Sequence, residues 1–206
     1  MQIGIIGAGR IGATIARLLA RAGHHVNLSN SRGPDSLVCL VQELGSSARA
    51  VPVSIAAECS DVTFLAVPWT NLQTLSDRFL FADVILVDTT NPYSHEFEVL
   101  DLGECTSSEI VARHFPSARV VKAFNTLYWE TLATRGTRHL AHRLIVPLAG
   151  NDVVAKATVS ELISDCGFAP LDIGTLREGG TLQQPGKLLF NRPLTVSEAK
   201  KLLESA

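Results

Sequence analysis

The 206-residue sequence predicts an α/β fold in which a doubly wound, mainly parallel sheet carries helices on both faces. Three observations lead to it. Short β-type runs alternate with helical patterns, several of those runs are apolar at consecutive positions, and a glycine-rich turn joins the first run to the first helical pattern. Consecutive apolar positions are what strands buried on both faces require.

The runs, in order, are QIGII (2–6), HVNLS (25–29), ARAVPV (48–53), VTFLAV (62–67), DVILVD (83–88), ARVVKAF (118–124) and RLIVPLAG (143–150). Between the first two, Ile11, Ile15, Leu18 and Leu19 recur at helical spacing, and Gly23 supplies the stop. A further helix is expected from Asp152 to Cys166, ended by Gly167, before a last strand in FAPLDI. In the tail TVSEAKKLLESA, Thr195 followed three residues later by Glu198 is a capping-box signature for a terminal helix. The stretch GTLREGGTLQQPG (174–186), rich in glycine and polar residues, reads as a long loop, and such loops are often functional. The division expected is a nucleotide-binding domain over 1–150 and a small C-terminal lobe over 151–206.

Composition narrows the function classes. The chain is 46% hydrophobic and 18% charged, with a formal net charge of −2, so it offers no global attraction to nucleic acid or to an anionic membrane. Any phosphate must be held locally. No apolar run approaches the roughly 18 residues a membrane span needs, and the start MQIGIIGAGR is broken by glycines, so a cytoplasmic location is expected. Cys39, Cys59, Cys105 and Cys166 stand far apart and read as buried thiols in a reducing compartment. The six histidines are scattered without a carboxylate at a telling spacing, read as solvated or capping, and no metal site is expected.

GAGRIG, from Gly7 through Ala8, Gly9, Arg10 and Ile11 to Gly12, fits G-x-G-x-x-G and stands directly between a predicted strand and a predicted helix. Gly7 would make the tight turn, Gly9 would let the backbone approach a pyrophosphate, and Gly12 would let the helix pack close to the strand. The helix N-terminus then presents N–H groups and a positive dipole end to the anion. The alternative is that these glycines serve only a tight turn.

About 20 residues on, where an NAD-binding fold commonly carries an acidic residue, the sequence reads Asn30-Ser31-Arg32. A carboxylate there would repel a ribose 2′-phosphate, whereas a serine hydroxyl and a guanidinium can bind its oxygens. NADP(H) is therefore the expected cofactor, against the reading of Arg32 as a solvated turn residue before Gly33-Pro34. At the carboxyl ends of later strands, Ala66, Val67, Pro68 and Trp69, then Thr90, Asn91 and Pro92, should adjoin the phosphate loop. Pro68 and Trp69 offer an apolar edge to the nicotinamide ribose, although Trp69 also suits half-buried packing. In KAFNT (122–126), Ala123 is placed with the cofactor and Asn125 with the acceptor. Lys122 is open to three roles: proton donor to a carbonyl, anchor for an anionic substrate, or a structural charge that has reached solvent.

With these residues in view, the chain resembles the F420-dependent NADP oxidoreductase family. The likeness runs from GIIGAGRIGATIARLLARAGHHVNLSNSRGPDSL through FLAVPW, DTTNP and KAFNT to PLAGNDVVAKATVSELISDCGFAPLDIG. The resemblance implies a Rossmann-type fold with a small C-terminal lobe, often dimeric. It also implies direct hydride transfer between NADPH and a deazaflavin (coenzyme F420), or a flavin, stacked on the nicotinamide. By resemblance Ser31 and Arg32 take the ribose phosphate, residues 7–12 take the pyrophosphate, and Ala149 with Gly150 lies near the acceptor ring. Transfer between stacked rings needs positioning more than a strong acid or base, which suits a sequence with no catalytic dyad in view. Similar folds serve as the flavin-reducing part of six-transmembrane metalloreductases. Two other functions stay open: reduction of a small carbonyl or imine, and a non-catalytic NADP(H)-sensing module.

Overall fold

Strand β1 (Gln2–Ile6) alternates its side chains between two cores: Ile3 and Ile5 join one cluster, and Ile6 joins the other. The computed structural model describes residues 1–78, 81–137 and 139–205. From β1 the chain turns into α1 (Arg10–Arg21), whose buried stripe of Ile15, Ala16, Leu18 and Leu19 covers the first cluster. It returns through β2 (His25–Ser29), then α2 (Val38–Leu44), β3 (Ala48–Ala50) and α3 (Val53–Glu58). The expected third strand is therefore shorter than ARAVPV, because Val53 already begins a helix after Pro52.

The second half starts with β4 (Val62–Leu65) and α4 (Leu72–Ser76), then β5 (Ile85–Asp88), α5 (Ser107–His114) and β6 (Arg119–Lys122). It continues with α6 (Trp129–Arg135), β7 (Ile145–Gly150), α7 (Val153–Asp165), β8 (Ala169–Asp172), α8 (Glu178–Gln183) and α9 (Val196–Glu204). Among the described residues eight strands lie in the order β3-β2-β1-β4-β5-β6-β7-β8. All neighbours pair in parallel except β6 and β7, where Val121 faces Gly150 and Lys122 faces Ala149 in an antiparallel ladder. The strand order reverses between β1 and β4, and that switch point opens the crevice in which sheets of this kind hold ligands.

Two cores flank the sheet. Phe64 and Phe124 meet edge to face at 5.6 Å in the first, and Phe81 and Phe115 at 4.9 Å in the second. A third, smaller cluster of Ile145, Leu189 and Ala199 seats α9 against the β7–β8 end of the sheet. The Glu198 carboxylate accepts hydrogen bonds from the Thr195 N–H and hydroxyl, the expected helix start. Ala206, the last residue of the expected helix tail, lies outside the described residues.

Three expectations are corrected. The stretch 174–186 is not all loop: its glycines sit inside or next to α8, where Gly179 packs so close to Ala149 that an added Cβ would come within 2.7 Å of the alanine methyl. Of the cysteines only Cys166 is buried, its thiol pushed up to about 12 by burial, whereas Cys39 and Cys59 are exposed on helix edges. His24 does have a carboxylate partner, Asp165 at 3.1 Å, but it lies on α7 rather than nearby in sequence. Among the described residues no helix is long and apolar enough to cross a membrane, and no group of three or more His, Cys, Asp and Glu could hold a metal ion.

Candidate functional site

The glycine-rich loop between β1 and α1 is built by steric necessity at two of its three glycines. Gly7 has φ +101°, and a Cβ there would sit 2.2 Å from the Ala66 carbonyl oxygen. A Cβ on Gly12 would come within 1.8 Å of the Gly7 carbonyl oxygen, so this glycine lets α1 lie on its own entry turn. Gly9 is different. Among the described residues nothing lies within 4 Å of where its Cβ would be, so no protein contact explains the missing side chain, and the loop backbone is left open to close approach by a ligand. The first bond within α1 runs from the Ala13 N–H to the Gly9 carbonyl at 2.9 Å, which leaves the preceding N–H groups without partners inside the helix. No acidic residue occupies the first turn of α1 to compete for that dipole end.

Beside this loop the end of β2 is organised by Asn30. Its side-chain oxygen accepts from the Arg32 N–H at 3.0 Å, and its amide donates to the Ser36 hydroxyl at 2.8 Å. This turn holds Ser31 and Arg32 exposed, and among the described residues the Arg32 guanidinium makes no ion pair. Of the residues singled out from sequence, Gly7, Ala8, Gly9, Asn30, Ser31, Arg32, Ala66, Val67 and Pro68 line one cleft of about 530 Å³ above the switch point. Its lining contains no carboxylate.

The remaining candidates lie elsewhere. Ile11 and Gly12 face inward, and Arg10 stacks over Trp129 with its guanidinium 5.6 Å from the ring centre. Trp69 packs half-buried against the second core, the bland alternative for it. Thr90, Asn91, Pro92 and Ala123 belong to a tightly bonded layer beyond the cleft. There Lys122, fully buried, donates to Asp88 at 3.0 Å and to the Thr90 carbonyl, while Asp88 also accepts from the Thr90 N–H and hydroxyl. Burial pulls the Lys122 ammonium below its ordinary range, and the Asp88 carboxylate opposes that pull. Lys122 therefore has neither reached solvent nor the cleft: with both side chains at 0% exposure, the pair ties β5 to β6 in register.

The acceptor-side residues are covered. Asn125 donates to Asn91 at 3.0 Å and to the Gln183 carbonyl of α8 at 2.9 Å, and Ala149 and Gly150 are buried. Thr106, the N-cap of α5, ties down the segment entering α8 by donating to the Leu176 carbonyl at 3.0 Å, and Arg177 stands 3.5 Å from Glu109.

Sequence reasoning missed Val53, Asn71, Thr74, Leu75 and Arg78, which complete the cleft wall. A signal was present for four of them. Asn71, Thr74, Leu75 and Arg78 are spaced i, i+3, i+4 and i+7, one face of a helical turn.

Residues 2–92, which hold the phosphate loop, the Asn30–Arg32 turn and α4, match the family described as NADP oxidoreductase, coenzyme F420-dependent. Over those residues the chain carries that family's domain. Its members are NADP-dependent oxidoreductases. The chain is 34% identical to the rat metalloreductase STEAP3 over 179 residues, which is 85% of this chain and 34% of that protein. It thus spans about a third of the length of the curated relatives it matches. Among solved structures, a hypothetical protein from Sinorhizobium meliloti shares 38% identity over 95% of both chains, with a TM-score of 0.87. A candidate F420-dependent NADP reductase from Arthrobacter sp. FB24 shares 26% identity over 86% of this chain and 88% of its own, with a TM-score of 0.71.

Proposed function

We propose that the chain binds NADP(H) in the cleft above the switch point and passes hydride between it and a flavin or deazaflavin acceptor. The observation that carries the cofactor is the cleft itself: the unexplained open space at Gly9, the free N–H groups of α1 and the unpaired Arg32 meet in a lining without a carboxylate. The N–H groups of α1 hold the pyrophosphate, Ser31 and Arg32 hold the ribose 2′-phosphate, and Ala66 to Pro68 form the floor beneath the nicotinamide ribose. The nicotinamide, when bound, supplies the hydride. What the chain contributes is orientation and exclusion of water, since the cleft lining holds no carboxylate, histidine or lysine to exchange a proton with the reacting rings.

The family description supports a deazaflavin acceptor, as does the likeness to the Arthrobacter F420-dependent NADP reductase. The match to the metalloreductases covers only a third of each, so it supports a reductase reading without identifying the acceptor. Reduction of a carbonyl or imine loses one of its two expected proton donors, because Lys122 is sealed against Asp88, and is left with a polar residue of the 174–186 stretch. For an acceptor to touch Asn125, Ala149 and Gly150, α8 must be displaced, so hydrogen exchange in residues 174–186 should rise when acceptor is added to the NADP+ complex.

The deciding test is a rapid mix of the protein with NADPH and, separately, coenzyme F420, FMN, FAD and riboflavin, following the nicotinamide absorbance. Saturable oxidation with one of them is the expected result. Tight NADPH binding without turnover by any would replace this reading with that of an NADP(H)-sensing module.

A further inference from the structure

Arg78 stands just past the end of α4, and with Asn71, Thr74 and Leu75 it presents one face of that turn to the cofactor cleft. The strand that precedes it, β4, and the strand that carries Arg32 at its end, β2, lie on opposite sides of β1. Two guanidiniums therefore enter one cleft from its two flanks. Neither has an ion-pair partner among the described residues, and the cleft lining offers no carboxylate to either. Like charges sharing a cleft repel unless an anion lies between them. A phosphate monoester suits such a place: it carries about −1.5 to −2 charges at pH 7 and three acceptor oxygens, enough for more than one fork. Val53 and Leu75 add apolar surface to the same walls, suited to a purine face.

We propose that Arg78 is a second specificity residue for the cofactor, closing on the adenosine 2′-phosphate from the side opposite Arg32. The phosphate is then held between two arginines from the two halves of the sheet, and preference for NADP(H) over NAD(H) is shared by both. This rests on the cofactor reading above. Nothing in the folded chain forms an ion pair with Arg78 among the described residues, so removing it leaves stability unchanged and isolates its role in binding.

The test is calorimetric titration of the wild type, Arg78→Gln and Arg78→Lys with NADPH, NADH and adenosine 2′,5′-bisphosphate. Arg78→Gln is expected to weaken NADPH and the bisphosphate by about ten- to a hundredfold while leaving NADH within about twofold, as loss of a charged hydrogen bond to phosphate requires. Arg78→Lys should recover part of the loss, since it keeps the charge but not the fork. Equal weakening of NADPH and NADH would make Arg78 an adenine wall and overturn the proposal, and so would unchanged affinity for both. Either result leaves the cofactor reading standing if the wild type still prefers NADPH. A wild type that binds NADH as well as NADPH overturns both.

Discussion

The two ends of the crevice use their polar groups in opposite ways. At the phosphate end, Gly9, Ser31, Arg32 and Arg78 are open, and the helix N–H groups and both guanidiniums are left without ion-pair or helical partners among the described residues. At the far end, Asp88, Thr90 and Lys122 are bonded to one another, Asn91 is bonded to Asn125, and Asn125 also donates to the Gln183 carbonyl of α8. A donor kept unpaired in contact with solvent is free to meet a ligand. A donor consumed by a neighbour in a dry interior holds the fold together, because an unpaired charge there would be costly. The contrast teaches that a charged residue at a strand's carboxyl end is not by that fact part of a site: Arg32 follows β2 and Lys122 ends β6, and only Arg32 faces the cleft.

Substitutions can break or sharpen this contrast, and the largest effect is expected at the closed end. Lys122→Met strands Asp88 in the core and should cost about 3–5 kcal/mol in denaturant unfolding. Replacing both partners, Lys122→Met with Asp88→Leu, should recover much of that loss. If Lys122→Met unfolds like the wild type yet turns over poorly, the division between the two ends is wrong.

Gly12→Ala forces a methyl against the Gly7 carbonyl and should destabilise by about 1–3 kcal/mol, whereas Gly9→Ala should stay within about 0.5 kcal/mol of wild type and lose NADPH affinity instead. Thermal melts with and without NADPH separate the two. Arg32→Ala should weaken NADPH by about 1.5–3 kcal/mol and NADH far less. Equal weakening of both nucleotides would remove the phosphate assignment.

The smallest effect concerns the strap over the closed end. The Thr106 N–H, with the Arg177 guanidinium nearby, holds the Glu109 carboxyl below the usual carboxylate range. A depressed carboxylate stabilises the fold above its ordinary pKa, and that contribution fades as pH falls through the folded value. Glu109→Ala should therefore cost about 1 kcal/mol near neutral pH, with wild type and variant converging in acid.

Much of the fold and of the phosphate end is legible in the order of residues. The strands stand out because parallel strands buried on both faces are apolar without interruption, as ILVD of β5 and VTFL of β4 nearly are. The phosphate loop is legible because glycine spacing, strand and helix follow within a dozen residues. The helix α8 is hidden because Gly179 and Gly180 count against a helix locally and are tolerated only where Ala149 and Thr106 leave no room for side chains. The spacing of Asn71, Thr74, Leu75 and Arg78 marks one helical face, but only the strand order shows that this face lines the cleft.

Sequence alone determined the alternation of strands and helices, the glycine-rich turn at Gly7 to Gly12 and the absence of an acidic residue after β2, since each is a local pattern enforced by backbone sterics or by the charge of neighbouring residues. Only the tertiary structure decided which charges meet. Asp88 and Lys122 are 34 residues apart and face one another through strand register, and Arg32 and Arg78 converge through the reversal of strand order at β1. Burial and pairing depend on what the rest of the chain brings alongside, and no local window of sequence contains that.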